Sequence, residues 1–273
     1  MSDVVQRFRC LHESGCFVMP NPWDIGSARL LARFGFPALA TTSAGFAWSL
    51  GRPDNHVTLE EALAHLRAMS AAVELPINAD FEGAFAIDAE SAGKNIAAAV
   101  TTGIAGVSIE DSTGDAANPL FDFALSVERV RAARATIDAS GTGVVLTGRS
   151  EGFIVGRPDL NETIRRLKAY AEAGADCLYA PGIRDHAQIK ALVDAVAPKP
   201  VNAGVGSDFA TVAELAALGV RRISVGGALA RAAWSGAFEA AREIAENGTF
   251  TALGRAISGY EVNGWFKPGL RHE

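Results

Sequence analysis

The sequence is poor in residues that several common classes of protein need. Its three cysteines, Cys10, Cys16 and Cys177, are odd in number and lack the paired spacing of a zinc site. It has no apolar stretch of about 18 residues, the length from which a membrane-spanning helix is expected. Its N-terminus has no basic segment followed by an apolar segment, the mark of a secretory signal. These absences predict a cytoplasmic protein with reduced thiols and no membrane partner.

Positive charge is also in short supply. The chain has 25 Lys and Arg residues against 31 Asp and Glu residues, a net charge of -6 at pH 7, and no basic block. Nucleic acid is therefore not expected as a partner, because phosphate backbones require clustered positive charge. What is present is 273 residues, of which 49% are hydrophobic. That is enough for one large domain, and α/β barrels reach this size.

Short apolar runs recur along the chain, each followed by polar or glycine residues and then by a helical pattern. Runs of this kind fit strands that are buried on both faces of a parallel sheet. The eight runs are 17–19, 38–41, 76–79, 106–109, 144–147, 177–180, 200–203 and 223–225. Eight such units predict an α/β fold, the (β/α)₈ TIM-type barrel. A doubly wound open sheet is the alternative, but it needs a glycine-rich loop where residues 19–23 read MPNPW.

Helical patterns fill the intervals between the runs. Thr58 followed by Glu61 forms a capping box, and Gly174 and Gly219 stand where helices should stop. The expected helices are 27–34, a helix from 58, 91–100, 122–139, 160–173, 185–196, 209–218 and 227–246. A further helix over 249–260 and an aromatic tail follow. We therefore expect a barrel domain over 1–247 and a C-terminal helix and tail over 248–273, with a homodimer or homotetramer covering the apolar surface.

Acidic residues collect where the strands should end, which in a barrel is the catalytic face. They are Asp54, Asp80, Glu82, Glu110, Asp111 and Glu151, together with the basic Arg149. Such a cluster repels itself without a cation, and carboxylate oxygens are the ligands that Mg²⁺ prefers. We expect Mg²⁺ or Mn²⁺ there, with Arg149 binding a substrate carboxylate through its fork of N–H groups. The alternatives are solvated acids and an Arg149 paired with Glu110 or Glu151; we expect Asp111 to cap the following loop.

Five segments together resemble the isocitrate lyase/phosphoenolpyruvate mutase superfamily over most of residues 15–235. They are 21–24 (NPWD), 42–45 (TSAG) with 49–54 (SLGRPD), 80–83 (DFEG), 108–111 (SIED) and 148–151 (GRSE). The resemblance implies a barrel whose eighth helix is exchanged between subunits. It implies Mg²⁺ held directly by Asp80, with Asp54, Glu82 and Glu110 acting through water.

The resemblance also implies a substrate and a chemistry. A small 2-oxo acid or enolate carboxylate would be bound by Ser43, the backbone up to Gly45 and Arg149. The candidate substrate-binding residues are Thr42, Ser43, Ala44, Gly45, Arg149 and Asn202. Members of the superfamily cleave C–C bonds, or form or cleave P–C bonds, through a stabilised enolate. The expectation is a Mg²⁺-dependent C–C lyase or hydrolase; a phosphonopyruvate-type mutase or hydrolase and a non-catalytic 2-oxo-acid binder are the alternatives.

The loop after the fourth run departs from the pattern of the lyases in this superfamily. Those acting on isocitrate or methylisocitrate carry a Lys-Lys/Arg-Cys-Gly-His loop, whereas Asn118 stands here at the cysteine position and no lysine accompanies it. Pro181 replaces a glutamate after the sixth run. We expect residues 112–120 to form a mobile lid and isocitrate cleavage to be negligible. The candidate catalytic residues are Arg149, Glu110 and Asn118; Asn118 would donate a hydrogen bond or, alternatively, stabilise a turn.

Overall fold

A computed structural model of the chain describes residues 1–267 and contains eight parallel strands. The strands are β1 Phe17–Met19, β2 Leu39–Ala40, β3 Ile77–Asp80, β4 Gly106–Glu110, β5 Val145–Arg149, β6 Cys177–Tyr179, β7 Val201–Gly204 and β8 Arg222–Ser224. Each pairs with its neighbour in sequence from β2 to β8, and β8 pairs with β1. The structure confirms the (β/α)₈ barrel and all eight strands.

Asn21 closes the barrel where β1 and β2 meet. Its side-chain amide donates to the backbone oxygen of Thr41 at 2.8 Å, and its side-chain oxygen accepts from the backbone N–H groups of Val225 and Gly226 at 2.8 and 2.9 Å. The backbone N–H of Ala40 also donates to the oxygen of Pro20 at 3.1 Å. One buried amide therefore ties the first strand to both of its neighbours.

The helices lie between the strands as the sequence pattern indicates, and Thr58 with Glu61 forms the capping box. They are α1 Asp3–Leu11, α2 Ile25–Ala32, α3 Ser43–Ser49, α4 Leu59–Ala72, α5 Ala89–Val100, α6 Phe123–Ser140, α7 Leu160–Glu172, α8 His186–Val196, α9 Val212–Ala217, α10 Ala228–Asn247 and α11 Gly259–Trp265. Helices α1 and α3 were not expected from the sequence. None of the helices in residues 1–267 combines the length and apolar character that a membrane crossing requires.

The C-terminal region differs from the sequence expectation. The helix expected over 249–260 is wrong: a 3₁₀ turn spans Ala252–Arg255, and α11 begins only after Ser258, whose hydroxyl accepts from the N–H of Glu261 at 3.2 Å. Helix α10 buries a single residue, Ala230, in the described part of the chain. Its large apolar side chains Trp234 and Phe238 are 52% and 65% exposed. The end of the expected tail, 268–273, lies outside the described residues.

The interior of the barrel is polar. Side chains alternate along each strand, so that one set packs against the helices and the other faces the barrel axis. The outward set is aliphatic and includes Ile77, Val107, Leu146 and Ile223. The set on the opposite face of these strands and their neighbours includes Met19 and Val145 but also six polar side chains that are all 5% exposed or less: Asn78, Ser108, Thr147, Asn202, Arg222 and Ser224. Most barrels fill this space with branched aliphatic layers; here polar groups continue below the catalytic face.

Candidate active site

A cavity of about 130 Å³ opens at the carboxyl ends of the strands. Its size suits a ligand of a few heavy atoms, since one water needs roughly 10–15 Å³ on such a scale. The sequence-predicted site residues that line it are Thr42, Ser43, Ala44, Asp54, Asp80, Arg149 and Asn202. Gly45 lies just behind: a Cβ there would sit 2.7 Å from Thr42 and 2.9 Å from Trp23, so the close packing requires glycine.

Asp80 connects β3 to the start of α3. One carboxylate oxygen accepts from the backbone N–H and the hydroxyl of Ser43 at 3.0 and 2.9 Å. The other accepts from Nη1 of Arg149 at 2.9 Å. The hydroxyl of Thr41 accepts from the backbone N–H of Asp80 at 2.9 Å and fixes the strand end. The two segments that the sequence singled out, 42–45 and 80–83, therefore meet at this carboxylate.

Arg149 lies among three carboxylates at the end of β5. Its Nε and Nη2 atoms hold Glu151 in a two-pronged ion pair, in which the Nη2–Oε2 distance is 3.0 Å. Its Nη1 atom contacts Asp80 at 2.9 Å and Glu110 at 3.1 Å. These carboxylates raise the pKa of Arg149 despite its burial. The structure thus has the ion-paired Arg149 that the sequence left as an alternative, and Arg149 also lines the cavity.

We call Asp54, Asp80, Glu82, Glu110, Glu151 and Arg149 the mouth cluster. Burial, followed by the charges of Asp80 and Asp54, raises the pKa of Glu82 to about 8. Burial also raises the pKa values of Asp54, Glu110 and Glu151, although Arg149 opposes the shift in each. The mouth cluster therefore has more carboxylates than its one guanidinium can neutralise, and burial disfavours the charged forms of Asp54, Glu82, Glu110 and Glu151.

The composition of the mouth cluster fits a bound cation, although its arrangement is not that of a completed metal site. No three Asp, Glu, His or Cys side chains within residues 1–267 stand close enough together to hold a metal ion. The donors are nevertheless carboxylate oxygens, the ligands suited to Mg²⁺, and they outnumber the positive groups around them. Asp80 and Glu110 share the Nη1 atom of Arg149, which is the positive group between them.

The loop that carries Glu82 has an unusual backbone. Glu82, Ala84 and Phe85 have φ angles of 48°, 55° and 52°, in the left-handed region that side chains disfavour. Each such residue costs on the order of 1–3 kcal/mol, and such residues concentrate at functional sites. Arg129 of α6, 1% exposed, holds this loop by donating to the backbone oxygens of Gly83, Ala86 and Ile87. Sequence reasoning missed Arg129, although a charged residue four positions before the core residue Ala133 was a detectable signal.

Asp111 follows Glu110 directly but belongs to a different network. The carboxylate is 2% exposed and accepts from the hydroxyl of Tyr170 at 2.7 Å and from Arg166 at 3.1 Å. It also accepts from the backbone N–H of Glu151 at 2.7 Å. The expectation that its side chain caps the following loop is therefore wrong, because these partners lie on α7 and after β5. We call Asp111, Arg166 and Tyr170 the anchor network.

Asn118 is exposed in the 112–120 loop and does not line the cavity. Its side-chain amide donates to Asp115 at 3.4 Å, and its backbone oxygen accepts from the hydroxyl of Thr113. A β-bridge between Ser112 and Leu120 closes the base of the loop. These contacts are those of a turn, and a catalytic role for Asn118 stays a prediction.

Comparisons with known proteins match this architecture. The family model for phosphoenolpyruvate phosphomutase matches residues 8–245. A crystal structure from Burkholderia cenocepacia J2315, provisionally described as a lyase/mutase, is 47% identical with a TM-score of 0.93 and covers 97% of this chain and 96% of its own. A structure of oxaloacetate acetylhydrolase with the product oxalate is 25% identical, with a TM-score of 0.85 and coverages of 96% and 93%. The oxaloacetate decarboxylase of Bradyrhizobium diazoefficiens is 29% identical over 204 residues, 69% of each chain.

Proposed function

The chain belongs to the phosphoenolpyruvate phosphomutase family, and from this we propose that it is a Mg²⁺-dependent lyase or hydrolase. It would cleave a C–C bond in a small 2-oxo or 2-hydroxy carboxylate through an enolate. The observation that carries the proposal is the mouth cluster, in which an excess of carboxylates and one arginine edge adjoin a cavity of about 130 Å³. A cation site and an arginine that binds a carboxylate are one combination that can stabilise an enolate.

We further propose that Asp80 binds Mg²⁺ or Mn²⁺ directly and that Asp54, Glu82 and Glu110 act through water. The raised pKa values of Asp54, Glu82 and Glu110 support this, because a cation would relieve the repulsion that causes part of the shift. When bound, the ion would supply a Lewis acid for the substrate oxygen.

The chain's own groups would orient the substrate. Glu151 holds the Nε and Nη2 atoms of Arg149 and so fixes the plane of the guanidinium. The Nη1 atom is then the group that can exchange Asp80 and Glu110 for a substrate carboxylate. The hydroxyl and N–H of Ser43 donate to the other oxygen of Asp80 and would be two further donors to the substrate if they exchanged this carboxylate for it. The phenol of Tyr179, whose pKa is raised by burial, stays protonated and lines the wall.

Two alternatives remain open to test. The first alternative is a phosphonopyruvate-type enzyme, which would act on a P–C bond. The family description favours this alternative. Residues 112–120 argue against it, because they contain no Lys or Arg that could bind a phosphoryl group. A non-catalytic 2-oxo-acid binder would keep the cavity without an acid–base group. The exposed position of Asn118 supports this alternative, since the loop brings no titrating group to the cavity.

The deciding experiment is a turnover assay against a panel of oxaloacetate, 2-methylisocitrate, isocitrate and phosphonopyruvate, with Mg²⁺ and with a chelator. We expect Mg²⁺-dependent release of a 2-carbon or 3-carbon acid from a 2-oxo or 2-hydroxy substrate and negligible cleavage of isocitrate and methylisocitrate, since general acid catalysis worth roughly 10²–10⁴-fold has no donor in the loop. Conversion of phosphonopyruvate to phosphate and pyruvate, or to phosphoenolpyruvate, would favour the phosphonate alternative. Binding without turnover across the panel would favour the binder.

We also propose that α10 packs on a second subunit, because Trp234 and Phe238 are more exposed than an isolated barrel favours. The resulting assembly would be a homodimer or homotetramer whose subunits exchange their C-terminal helices. Light scattering should then give a mass at least twice 28.5 kDa at micromolar concentration. A particle of 28.5 kDa would contradict the assembly and leave the proposed chemistry untouched.

A further inference from the structure

Arg222 lies inside the barrel, below the mouth cluster, and is 1% exposed. Its guanidinium donates from Nε to the side-chain oxygen of Asn202 at 2.9 Å and from Nη2 to the hydroxyl of Thr147 at 3.0 Å. Its Nη1 atom lies 3.3 Å from Nε2 of His12. Three of its donor hydrogens thus have partners, out of the five that a guanidinium carries.

All three partners of Arg222 are uncharged. Burial and the charge of Arg222 lower the pKa of His12 to about 3, so that this imidazole is neutral. Among the ion pairs of residues 1–267, none involves Arg222. Burial also lowers its pKa, with only the neutral groups of Cys177 and Tyr179 opposing the shift. A buried cation without an anion is unfavourable unless something compensates for it.

The same guanidinium forms part of the cavity wall. The cavity extends from Arg149 at the mouth to Arg222 and is bounded between them by Asn78, Ser108 and Ser224. A buried guanidinium with two donor hydrogens that have no partner among residues 1–267, next to a void, has the elements of an anion site.

We propose that Arg222, with Thr147 and Asn202 holding it in place, is an anion subsite inside the barrel. It binds the acidic group of the substrate that lies farther from the mouth, while Arg149 binds the nearer carboxylate. This assignment rests on the proposed function for the identity of the ligand, and it specifies that ligand as a dianion with one carboxylate at each end. A monoacid would leave Arg222 unpaired next to an apolar chain end, which is how a buried polar site rejects an analogue that lacks the matching group.

Binding of two unreactive acids tests the subsite. Succinate and butyrate have the same carbon chain and differ in one carboxylate, and their affinities can be measured by calorimetry with Mg²⁺ present. For the unmodified protein we expect succinate to bind at least about tenfold more tightly than butyrate. Arg222→Met should abolish this preference mainly by weakening succinate. Arg134→Met is the matched control, since Arg134 pairs with Asp138 and Asp176 away from the cavity, and it should keep the preference.

Two further variants keep the test decisive if Arg222→Met does not fold. Arg222→Lys retains the charge and should retain most of the preference for succinate, whereas Arg222→Gln removes the charge and should lose it. Equal preference in the Lys and Gln variants, or a preference unchanged in Arg222→Met, would overturn the subsite. An unmodified protein that binds both acids equally would overturn it as well. None of these measurements depends on turnover, so failure of the proposed reaction and failure of the subsite give different results.

Discussion

Glu110 and Asp111 are neighbours in sequence, yet they lie in opposite environments. Glu110 faces the mouth cluster and shares Arg149 with Asp80 and Glu151, and burial raises its pKa. Asp111 faces the anchor network, where it accepts hydrogen bonds from Arg166, from Tyr170 and from the backbone of Glu151. Side chains that follow one another at a strand end point to opposite sides. Glu110 shares its one positive partner with other carboxylates, which suits a residue that binds a ligand. Asp111 accepts three hydrogen bonds from within the protein, which suits a residue that stabilises the fold.

The largest expected effect is the loss of turnover when Asp80 of the mouth cluster is replaced. Asp80→Ala should reduce Mg²⁺-dependent turnover by at least about 10³-fold, because a direct ligand of the catalytic ion is removed. Its free energy of unfolding in the absence of metal should change little, since relief of the repulsion among the carboxylates offsets the loss of the hydrogen bonds from Ser43 and Arg149. Steady-state assays and urea unfolding measure the two effects. A large loss of stability would show that Asp80 stabilises the fold as Asp111 does, and would contradict the difference between the mouth cluster and the anchor network.

Asp111→Ala should mainly lower the stability of the protein, whereas Asp80→Ala should mainly lower its turnover. Removing this carboxylate leaves Arg166 with Glu162 as its remaining anion and takes the acceptor from the buried hydroxyl of Tyr170; breaking a buried pair in this way typically costs about 3–5 kcal/mol. The free energy of unfolding should fall by about that amount. Asp115→Ala is the control, because Asp115 is exposed in the 112–120 loop. Unchanged stability in Asp111→Ala would show that the anchor network does not hold the fold.

Replacing Arg129 should change the mouth cluster indirectly, because Arg129 holds the loop that carries Glu82. Arg129→Met removes the donors that hold the backbone oxygens of Gly83, Ala86 and Ile87. The left-handed backbone at Glu82 would then be free to relax. We expect Mg²⁺ affinity and turnover to fall by about tenfold each, with about 1–3 kcal/mol of stability lost to the unsatisfied carbonyls. An effect on stability alone would make Arg129 a structural residue like Arg166.

The smallest expected effect is the dependence of stability on pH. The pKa of Glu82 is raised from 4.5 to about 8 in the folded protein, so the folded state holds a proton that the unfolded state releases. This contribution is fully present below pH 4.5 and is lost as the pH rises toward 8. Metal-free protein should therefore lose stability as the pH rises through this window, with a slope of at most about 1.4 kcal/mol per pH unit for this one proton. Glu82→Gln should flatten the dependence, as measured by urea unfolding at several pH values; an equally steep dependence in that variant would assign the titration to other acids.

The comparison also explains which features the sequence could predict. The strands and the position of Asp80 follow from local pattern, because apolar runs alternate with helices and barrel chemistry lies at strand ends. The roles of Asp111 and Arg222 depend on partners far away in sequence, such as Tyr170 and His12, which no local pattern places nearby. Helix α1 could not be predicted from local pattern for the same reason, because its Phe8 is buried beside Phe17 only once the barrel has formed.

The most direct test of the central claim, that the mouth cluster holds a cation, is a calorimetric titration of Mg²⁺ into the unmodified protein and into Asp80→Ala. Asp194→Ala is the matched control, because Asp194 is an exposed carboxylate paired with Lys190 on α8. We predict one binding event in the unmodified protein and in the control, and an affinity weakened at least about hundredfold in Asp80→Ala, a change of roughly 2.7 kcal/mol. An affinity in Asp80→Ala equal to that of the unmodified protein would contradict the account.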